Sequence, residues 1–184
     1  KTKLKMLFNL ESYYIGPIKI EDAWSLCNFA VSNEDRLKRY FPKTLEQNLT
    51  PDLSRLFTEK KAYQFKSKEE FLFTLKQKDT NQLAGLIYIK ESESIKKQGE
   101  FAYCIGYPFE GKGLTTKAVK TLSKYAFKEL GLKTLQIIAH KDNLASVKVA
   151  ENCNFIWKKT IKNGFTPPGE KPLNMELYEL YNEI

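Results

Sequence analysis

One stretch, residues 99–130, most constrains what this chain can fold into, because a strand pattern, a glycine-rich turn and a helix pattern follow one another directly. The apolar and aromatic run from 100 to 107 predicts a strand that Pro108 ends. Gly111 and Gly113 come next, and apolar residues then recur at helical spacing up to the predicted cap at Gly131. Glycines before a helix let an anion reach unpaired N–H groups at the positive end of the helix dipole. The stretch therefore predicts a phosphate or pyrophosphate site at residues 111–116.

One interpretation of this stretch is a nucleotide-binding P-loop. Residues 106–113 nearly match the pattern G-x-x-x-x-G-K-[ST], but Gly113 replaces the hydroxyl residue that would hold Mg²⁺. Pro108 and Phe109 stand where the loop would have to curl, and no later apolar strand ends in an Asp that could supply the second metal contact. These departures argue against a nucleoside triphosphatase.

The same residues resemble the GNAT acetyltransferase superfamily, and in particular its RimJ/RimL-like group. The family pattern is Q/R-x-x-G-x-G/A at a strand–helix junction, and the RimL-like branch often has an aromatic or acidic residue, then G-K-G, two small residues and an acidic-Ala pair. The matching residues are Gly111, Lys112, Gly113, Thr116 and Ala118. Glu110 departs from the Q/R of the general pattern and Thr115 from its second Gly/Ala, while Lys117 replaces the acidic residue of the branch pattern.

A second block of sequence supports this resemblance. Residues 143–155 are similar to the family's N-x-x-S followed by a short helix that ends in G-F. Asn143 is a good N-cap for such a helix, and Asn154, in place of the glycine, is the next best residue for a left-handed position after the helix. The resemblance runs over about residues 14–178, and the two blocks, which stand in the order typical of the family, carry it.

The patterns along the chain predict a mixed α+β protein. We expect strands at 7–15, 71–75, 83–90, 99–107, 134–140, 155–160 and 173–180, and helices at 21–33, 33–40, 50–65, 115–130 and 143–153. The strand at 134–140 should lie parallel beside 100–107, because a helix joins them. The resemblance implies the GNAT fold, in which a mostly antiparallel, twisted sheet of about seven strands contains one splayed parallel pair and is flanked by helices. A single domain over residues 1–184 is expected.

The resemblance also implies acetyl-CoA as co-substrate, without a metal. Backbone groups of Cys104, Ile105 and Gly106 would pair with the amides of pantetheine, like an added strand. Asn143 and Ser146 would contact the pantetheine arm or lie near the thioester. The pyrophosphate would be bound by the N–H groups of Gly111, Lys112, Gly113, Leu114, Thr115 and Thr116.

Acetyl transfer to an amine needs a group that takes the amine proton and a group that serves the leaving thiolate. Ser146 matches a family serine thought to protonate or hydrogen-bond the leaving sulfur, although a serine there could equally serve helix capping. Glu100 is the candidate general base, and a half-exposed strand glutamate with no catalytic role is the alternative. His140 and Glu170 are further candidates, so the base stays open. For Cys104 packing is expected rather than nucleophilic chemistry.

The composition narrows the classes of partner. The net charge of +8 favours anionic ligands, but nearly all the basic residues are scattered lysines, so we expect no specific nucleic-acid binding. The three cysteines lack C-x-x-C spacing and the chain has one histidine, which argues against a zinc site or a disulfide framework and favours reduced thiols in a cytoplasmic protein. No stretch is long and apolar enough to span a bilayer, and no signal-peptide core is evident. GNAT proteins are often dimers, so a homodimer is one expectation, although no interface is indicated.

The first functional hypothesis is an N-acetyltransferase that uses acetyl-CoA and a primary amine, either a protein N-terminus or a small molecule, by direct attack on the thioester. The alternative is a non-catalytic acyl-CoA-binding or sensory module, because the catalytic Tyr of many GNAT proteins is replaced here by Ala150. Both hypotheses predict CoA binding, and only the first predicts turnover with an amine.

Overall fold

A computed structural model of the chain describes residues 6–183. These residues form eight strands and six helices, together with two short 3₁₀ turns. The strands are β1 (Phe8–Leu10), β2 (Tyr13–Pro17), β3 (Phe71–Gln77), β4 (Leu83–Glu91), β5 (Gln98–Ile105), β6 (Thr134–Ala139), β7 (Ile156–Phe165) and β8 (Leu173–Tyr181). The helices are α1 (Ala23–Ser32), α2 (Glu34–Tyr40), α3 (Pro42–Glu46), α4 (Pro51–Ser67), α5 (Leu114–Lys128) and α6 (Leu144–Asn152).

The strands form one open sheet in the order β1-β2-β3-β4-β5-β6-β8-β7. β5 and β6 are parallel, as predicted, with a register from Gln98↔Thr134 to Phe101↔Ile137. β1 with β2, β2 with β3, β6 with β8 and β7 with β8 are antiparallel. The α+β class and the single parallel pair are thus confirmed.

The chain divides into two compact units, and one of them lies within Lys1–Tyr88 together with Tyr103–Lys112. Its helices are α1 to α4. The strand β3 is buried at six of its seven positions, which include Thr74 and Lys76 beside four apolar residues. Phe65 of α4 packs edge-on against Phe71 and Phe73 of β3, with ring centroids 5.2 and 5.0 Å away. Aromatic packing of this kind fixes α4 on the strand.

The other unit comprises Ile89–Ala102 and Gly113–Ile184. It contains α5 and α6, and the predicted apolar face of α5 is its buried face, with Ala118, Val119, Leu122 and Ala126 all fully buried. Phe101 of β5 packs against Phe155, which follows α6, with ring centroids 6.3 Å apart. The helix-spaced apolar residues therefore supply the core of this unit.

The sheet has eight strands rather than about seven, because the first predicted strand is in fact two. Residues 7–15 fold as β1 and β2, joined by a turn in which Glu11 has a φ of 53°. β2 also continues to Pro17, which pairs with Phe73, two residues beyond the predicted end at residue 15. The pairing of β1 with β2 ends at Ile15, so within the described residues Pro17 has a strand partner on one side only, as an edge residue does.

Other element boundaries also differ from the sequence prediction. The helix predicted at 21–33 begins as a 3₁₀ turn, Ile20–Asp22, before α1, and the short helix α3, which Pro42 starts, was not predicted. β7 reaches Phe165 rather than residue 160, through an irregular register and a left-handed Asn163. No helix within residues 6–183 has both the length and the apolar character that crossing a membrane requires.

Candidate active site

The junction between β5 and α5 is an open, glycine-containing turn, as the sequence predicted. β5 ends at Ile105, a 3₁₀ turn covers Tyr107–Phe109, and α5 starts at Leu114. Gly111 and Gly113 have φ values of 71° and 70°, and a Cβ atom added to either would meet no atom within 4 Å. A left-handed backbone explains why glycine stands at both positions, and the open space leaves room for a ligand.

The N-terminus of α5 presents unpaired donors. The first helical hydrogen bond from this end is that of the Lys117 N–H to the Gly113 carbonyl, at 3.1 Å. By helix geometry the N–H groups of Leu114, Thr115 and Thr116 have no partner inside the helix, and Gly113 has no side chain that could cap them. These three N–H groups and the helix dipole can bind an anion.

The end of β5 carries the predicted pantetheine residues Cys104, Ile105 and Gly106. The Gly106 N–H donates to the Ala84 carbonyl at 2.7 Å, and the Ile105 carbonyl accepts from Arg36 at 2.5 Å. Cys104 is buried, and burial raises the pKa of its thiol to about 12. The thiol therefore stays protonated at neutral pH, in agreement with a packing role.

The first turn of α6 is capped as predicted. The Asn143 side chain accepts a hydrogen bond from the Ser146 N–H at 3.3 Å, and both residues are half-buried. At the far end of the helix Asn154 adopts a left-handed φ of 64°, and the Phe155 N–H bonds the Ala150 carbonyl at 2.9 Å. The asparagine thus takes the place of the family's glycine.

Glu100 lies in β5 opposite Gln136 of β6. Burial raises the pKa of its carboxyl group, and the charge of Lys90 lowers it to a smaller extent. A carboxyl group with a raised pKa is a better proton acceptor than an ordinary glutamate. This property is the one that a general base for an amine would need.

His140 follows β6, and its ring is engaged on one side. Nδ1 accepts a hydrogen bond from the Asp142 N–H at 3.3 Å and lies 3.8 Å from the Asp142 carboxylate. The ring is mostly buried, with 15% of the side chain exposed. Nε2 is then the nitrogen that carries the proton in the neutral ring.

Comparison with known proteins decides the family. The profile of the "Acetyltransferase (GNAT) domain" matches residues 14–156. The chain belongs to the GNAT acetyltransferase family. The predicted resemblance is thereby confirmed.

Relatives of this GNAT protein cover most of its length. A Bacillus subtilis (strain 168) protein named "Putative ribosomal N-acetyltransferase YdaF" is 26% identical over 162 residues, which are 84% of this chain and 83% of the relative. The structure of the ribosomal-protein-S5-alanine acetyltransferase from Vibrio fischeri has a TM-score of 0.89 at 21% identity, with 97% of both chains covered. That of RimL, a ribosomal L7/L12 alpha-N-protein acetyltransferase in complex with coenzyme A, has a TM-score of 0.85 at 15% identity, with 96% of this chain and 98% of RimL covered.

The structure also explains the departure of this GNAT chain from its family pattern at residue 110. Glu110 stands where the pattern has Gln or Arg, and it forms an ion pair with Arg36 of α2. The Arg36 guanidinium also lies 4.2 Å from the centroid of the Tyr107 ring. The sequence reasoning missed Arg36, because nothing in its neighbourhood along the chain links it to the loop.

The predicted site residues of the GNAT chain fall in different units. The first unit holds Cys104, Ile105, Gly106, Gly111 and Lys112, and the second holds Glu100, Gly113, Leu114, Thr115, Thr116, Asn143 and Ser146. In the second unit the Cys153 thiol donates to the Thr116 carbonyl at 3.4 Å, which ties the end of α6 to the first turn of α5.

A cavity of about 280 Å³ in the first unit lies beside Gly106 and Phe109, along α1. Serine and asparagine side chains of α1 line it, and none of its lining residues is ionisable. The cavity offers no counter-ion and is therefore unsuited to a pyrophosphate.

Within residues 6–183, no three His, Cys, Asp or Glu side chains lie close enough together to hold a metal ion.

Proposed function

We propose that this GNAT protein transfers the acetyl group of acetyl-CoA to the primary amine of a protein N-terminus or of a small molecule. The observation that carries the proposal is the pair of left-handed glycines, Gly111 and Gly113, with open space around them directly before α5. Family membership and the coenzyme A in the RimL complex support the identity of the anion. The names of YdaF and of the Vibrio fischeri structure support an acceptor of the ribosomal-protein class.

The proposed cofactor contacts follow the loop and the two helix starts. The pyrophosphate binds the N–H groups of residues 111–116, and the pantetheine amides pair with the backbone of residues 104–106. Asn143 and Ser146 lie along the pantetheine arm. The loop geometry and the Asn143 cap support these assignments.

In the proposed reaction the neutral amine attacks the thioester carbonyl carbon, and a C–N bond forms as the C–S bond breaks. Glu100 takes the proton that the amine nitrogen loses, directly or through a water, and its raised pKa supports this role. The Ser146 hydroxyl donates a hydrogen bond to the departing thiolate of CoA. Holding amine and thioester together supplies much of the acceleration, so no covalent enzyme intermediate is needed.

The assignment of residues 1–184 to a single catalytic domain is part of the proposal. The family profile, residues 14–156, includes segments of both compact units. The domain range extends beyond the described residues at both ends.

A cytoplasmic location is also proposed, since Cys27, Cys104 and Cys153 are buried free thiols, which is typical of a reducing compartment. A homodimer remains a proposal that sedimentation would test.

The test is calorimetry with acetyl-CoA, followed by a panel of amines and N-terminal peptides monitored for release of free thiol. Gly111→Asp places a side chain and a negative charge in the loop, and we expect it to abolish acetyl-CoA binding. The matched control is Gly131→Asp, which has a similar φ of 68° and equally open surroundings at the other end of α5. The control is the harsher change for stability, because a carboxylate there faces the negative end of the helix dipole.

Three results are informative. Binding that only Gly111→Asp abolishes, with thiol release for one amine class, supports the transferase. Binding without release for any amine favours the non-catalytic acyl-CoA-binding module. Unchanged acetyl-CoA affinity in Gly111→Asp contradicts the loop assignment.

A further inference from the structure

The corner between α1 and α2 holds the segment that leads from β5 into the glycine loop. Asn33, which is buried, accepts a hydrogen bond from the Tyr107 N–H at 3.0 Å through its Oδ1 and donates to the Phe29 carbonyl at 2.8 Å through its Nδ2. Arg36, one turn later, donates to the Ile105 carbonyl and pairs with Glu110. We call Asn33 and Arg36 the α1–α2 corner. It fixes the segment at three points, Ile105, Tyr107 and Glu110.

The charges at this corner matter for a phosphate loop. Glu110 directly precedes Gly111, and its side chain is 49% exposed, so by itself it would repel a pyrophosphate bound at the loop. The Arg36 guanidinium, with its side chain only 22% exposed, cancels that charge. Its stacking on Tyr107 holds it in place. A cation thus lies beside the loop, where the general family pattern has a Gln or an Arg at position 110 itself.

We propose that Arg36 is a positioning residue for CoA, which acts by neutralising Glu110 beside the loop that binds the phosphates. This proposal rests on the proposed function, since it takes the loop to be the phosphate site. It assigns a role to a residue of α2, outside the two sequence blocks that carry the family pattern.

The alternative is that Arg36 only fastens α2 to the loop, with no effect of its charge on the ligand. The effect of charge on CoA binding distinguishes these two explanations. If charge is the cause, removing Arg36 harms binding through the exposed Glu110, and removing Glu110 as well restores it. If fastening is the cause, the double variant is no better than the single one.

The experiment measures binding of CoA and of pantetheine, which lacks the phosphates, to Arg36→Gln, Glu110→Gln and the double variant. Gln removes the charge and keeps a side-chain N–H donor. We expect Arg36→Gln to weaken CoA about tenfold, the scale of an uncompensated like charge near a protein surface, and to change pantetheine binding by less than about twofold. The double variant should return CoA affinity to within about twofold of the wild type. The loss in Arg36→Gln should also shrink in 0.5 M salt, because salt screens exposed charges.

Arg39→Gln is the control, since it removes the same charge from the same helix. Arg39 lies over the Tyr40 ring at 5.3 Å. An equal loss of CoA affinity in Arg39→Gln would show that only net charge matters and would overturn the proposal. A double variant as weak as Arg36→Gln, or an equal loss for pantetheine, would also overturn it. Failure of the wild type to bind CoA would instead refute the proposed function on which it rests.

Discussion

A buried ion pair anchors the start of α1 and offers a sharp test of the structure. Lys76 in β3 pairs with Asp22, and their side chains are 7% and 6% exposed. The second oxygen of Asp22 accepts the Lys19 N–H at 2.8 Å. Asp22→Asn keeps the shape and an acceptor for Lys19 but leaves the Lys76 ammonium buried without a counter-ion. The variant therefore tests the contribution of the Asp22 charge without changing the shape of the side chain.

The expected loss of unfolding free energy can be estimated from how deeply the Asp22 and Lys76 side chains are buried. Removing one partner of a buried pair costs about 3–5 kcal/mol, against about 0–1 kcal/mol for an exposed pair. Asp22 and Lys76 line a polar cleft of about 550 Å³ that water can enter, so we expect the lower end, about 3 kcal/mol. That loss is a large fraction of the roughly 5–15 kcal/mol that stabilises a domain.

Urea unfolding, followed by circular dichroism, measures the effect. We expect the urea midpoint of Asp22→Asn to fall by roughly 1–2 M at an unchanged slope. Lys76→Met should also destabilise, and the double variant should be more stable than the sum of the single losses predicts, because no unpaired charge remains. The control is Arg55→Gln, which breaks the exposed pair with Glu59, whose side chains are 56% and 44% exposed, and should shift the midpoint by less than about 0.3 M. The reasoning would be refuted if each single variant lost less than about 1 kcal/mol of unfolding free energy and the two losses were additive in the double variant.

Three further predictions concern the second unit. Glu100→Gln should gain stability over the wild type as the pH rises, and the two proteins should be equally stable in acid. The reason is that the raised pKa makes the folded wild type bind this proton more tightly than the unfolded chain, so the stability of the wild type falls between the ordinary glutamate pKa and the raised value. Urea midpoints against pH measure this, and kcat should fall if Glu100 is the base. Leu122→Ala, at a fully buried position of α5, should cost about 2–5 kcal/mol in the same unfolding assay. Ser146→Ala should lower kcat with little change in the calorimetric affinity for acetyl-CoA, since the N-cap bond uses the Ser146 backbone N–H rather than its hydroxyl; equal kcat values would exclude the serine from the reaction.

The features that the sequence predicted well are those with a local cause. Thr50 caps α4 by accepting the Leu53 N–H at 3.2 Å, and Asn143 caps α6 in the same way. Gly111, Gly113 and Asn154 take the left-handed conformation that their residue types favour. Each of these depends on residues a few positions apart, so the chain segment alone contains the information.

The boundaries that were wrong depend on partners elsewhere in the sheet. The sequence around Asn163 and Gly164 is typical of a turn, yet β7 continues through it because β8 supplies a pairing partner up to Phe165↔Leu173. β7 is exposed along nearly all its length, so no apolar alternation marks it as a strand. In the first unit the turn at Glu11 lacks glycine, and β1 and β2 therefore looked like one strand.

The glycine loop shows why a site cannot be derived from its own motif alone. From residues 110–118, Glu110 reads as a negative charge at the mouth of a phosphate site, which would weaken the site. The ion pair with Arg36, 74 positions away in sequence, reverses that conclusion, because the guanidinium offsets the charge of the Glu110 carboxylate. Only the packing of α2 against the end of β5 brings the two residues together. The electrostatic potential at the loop is thus set by a tertiary contact, while the N–H donors are set by the glycines, and only the second of these can be inferred from the motif.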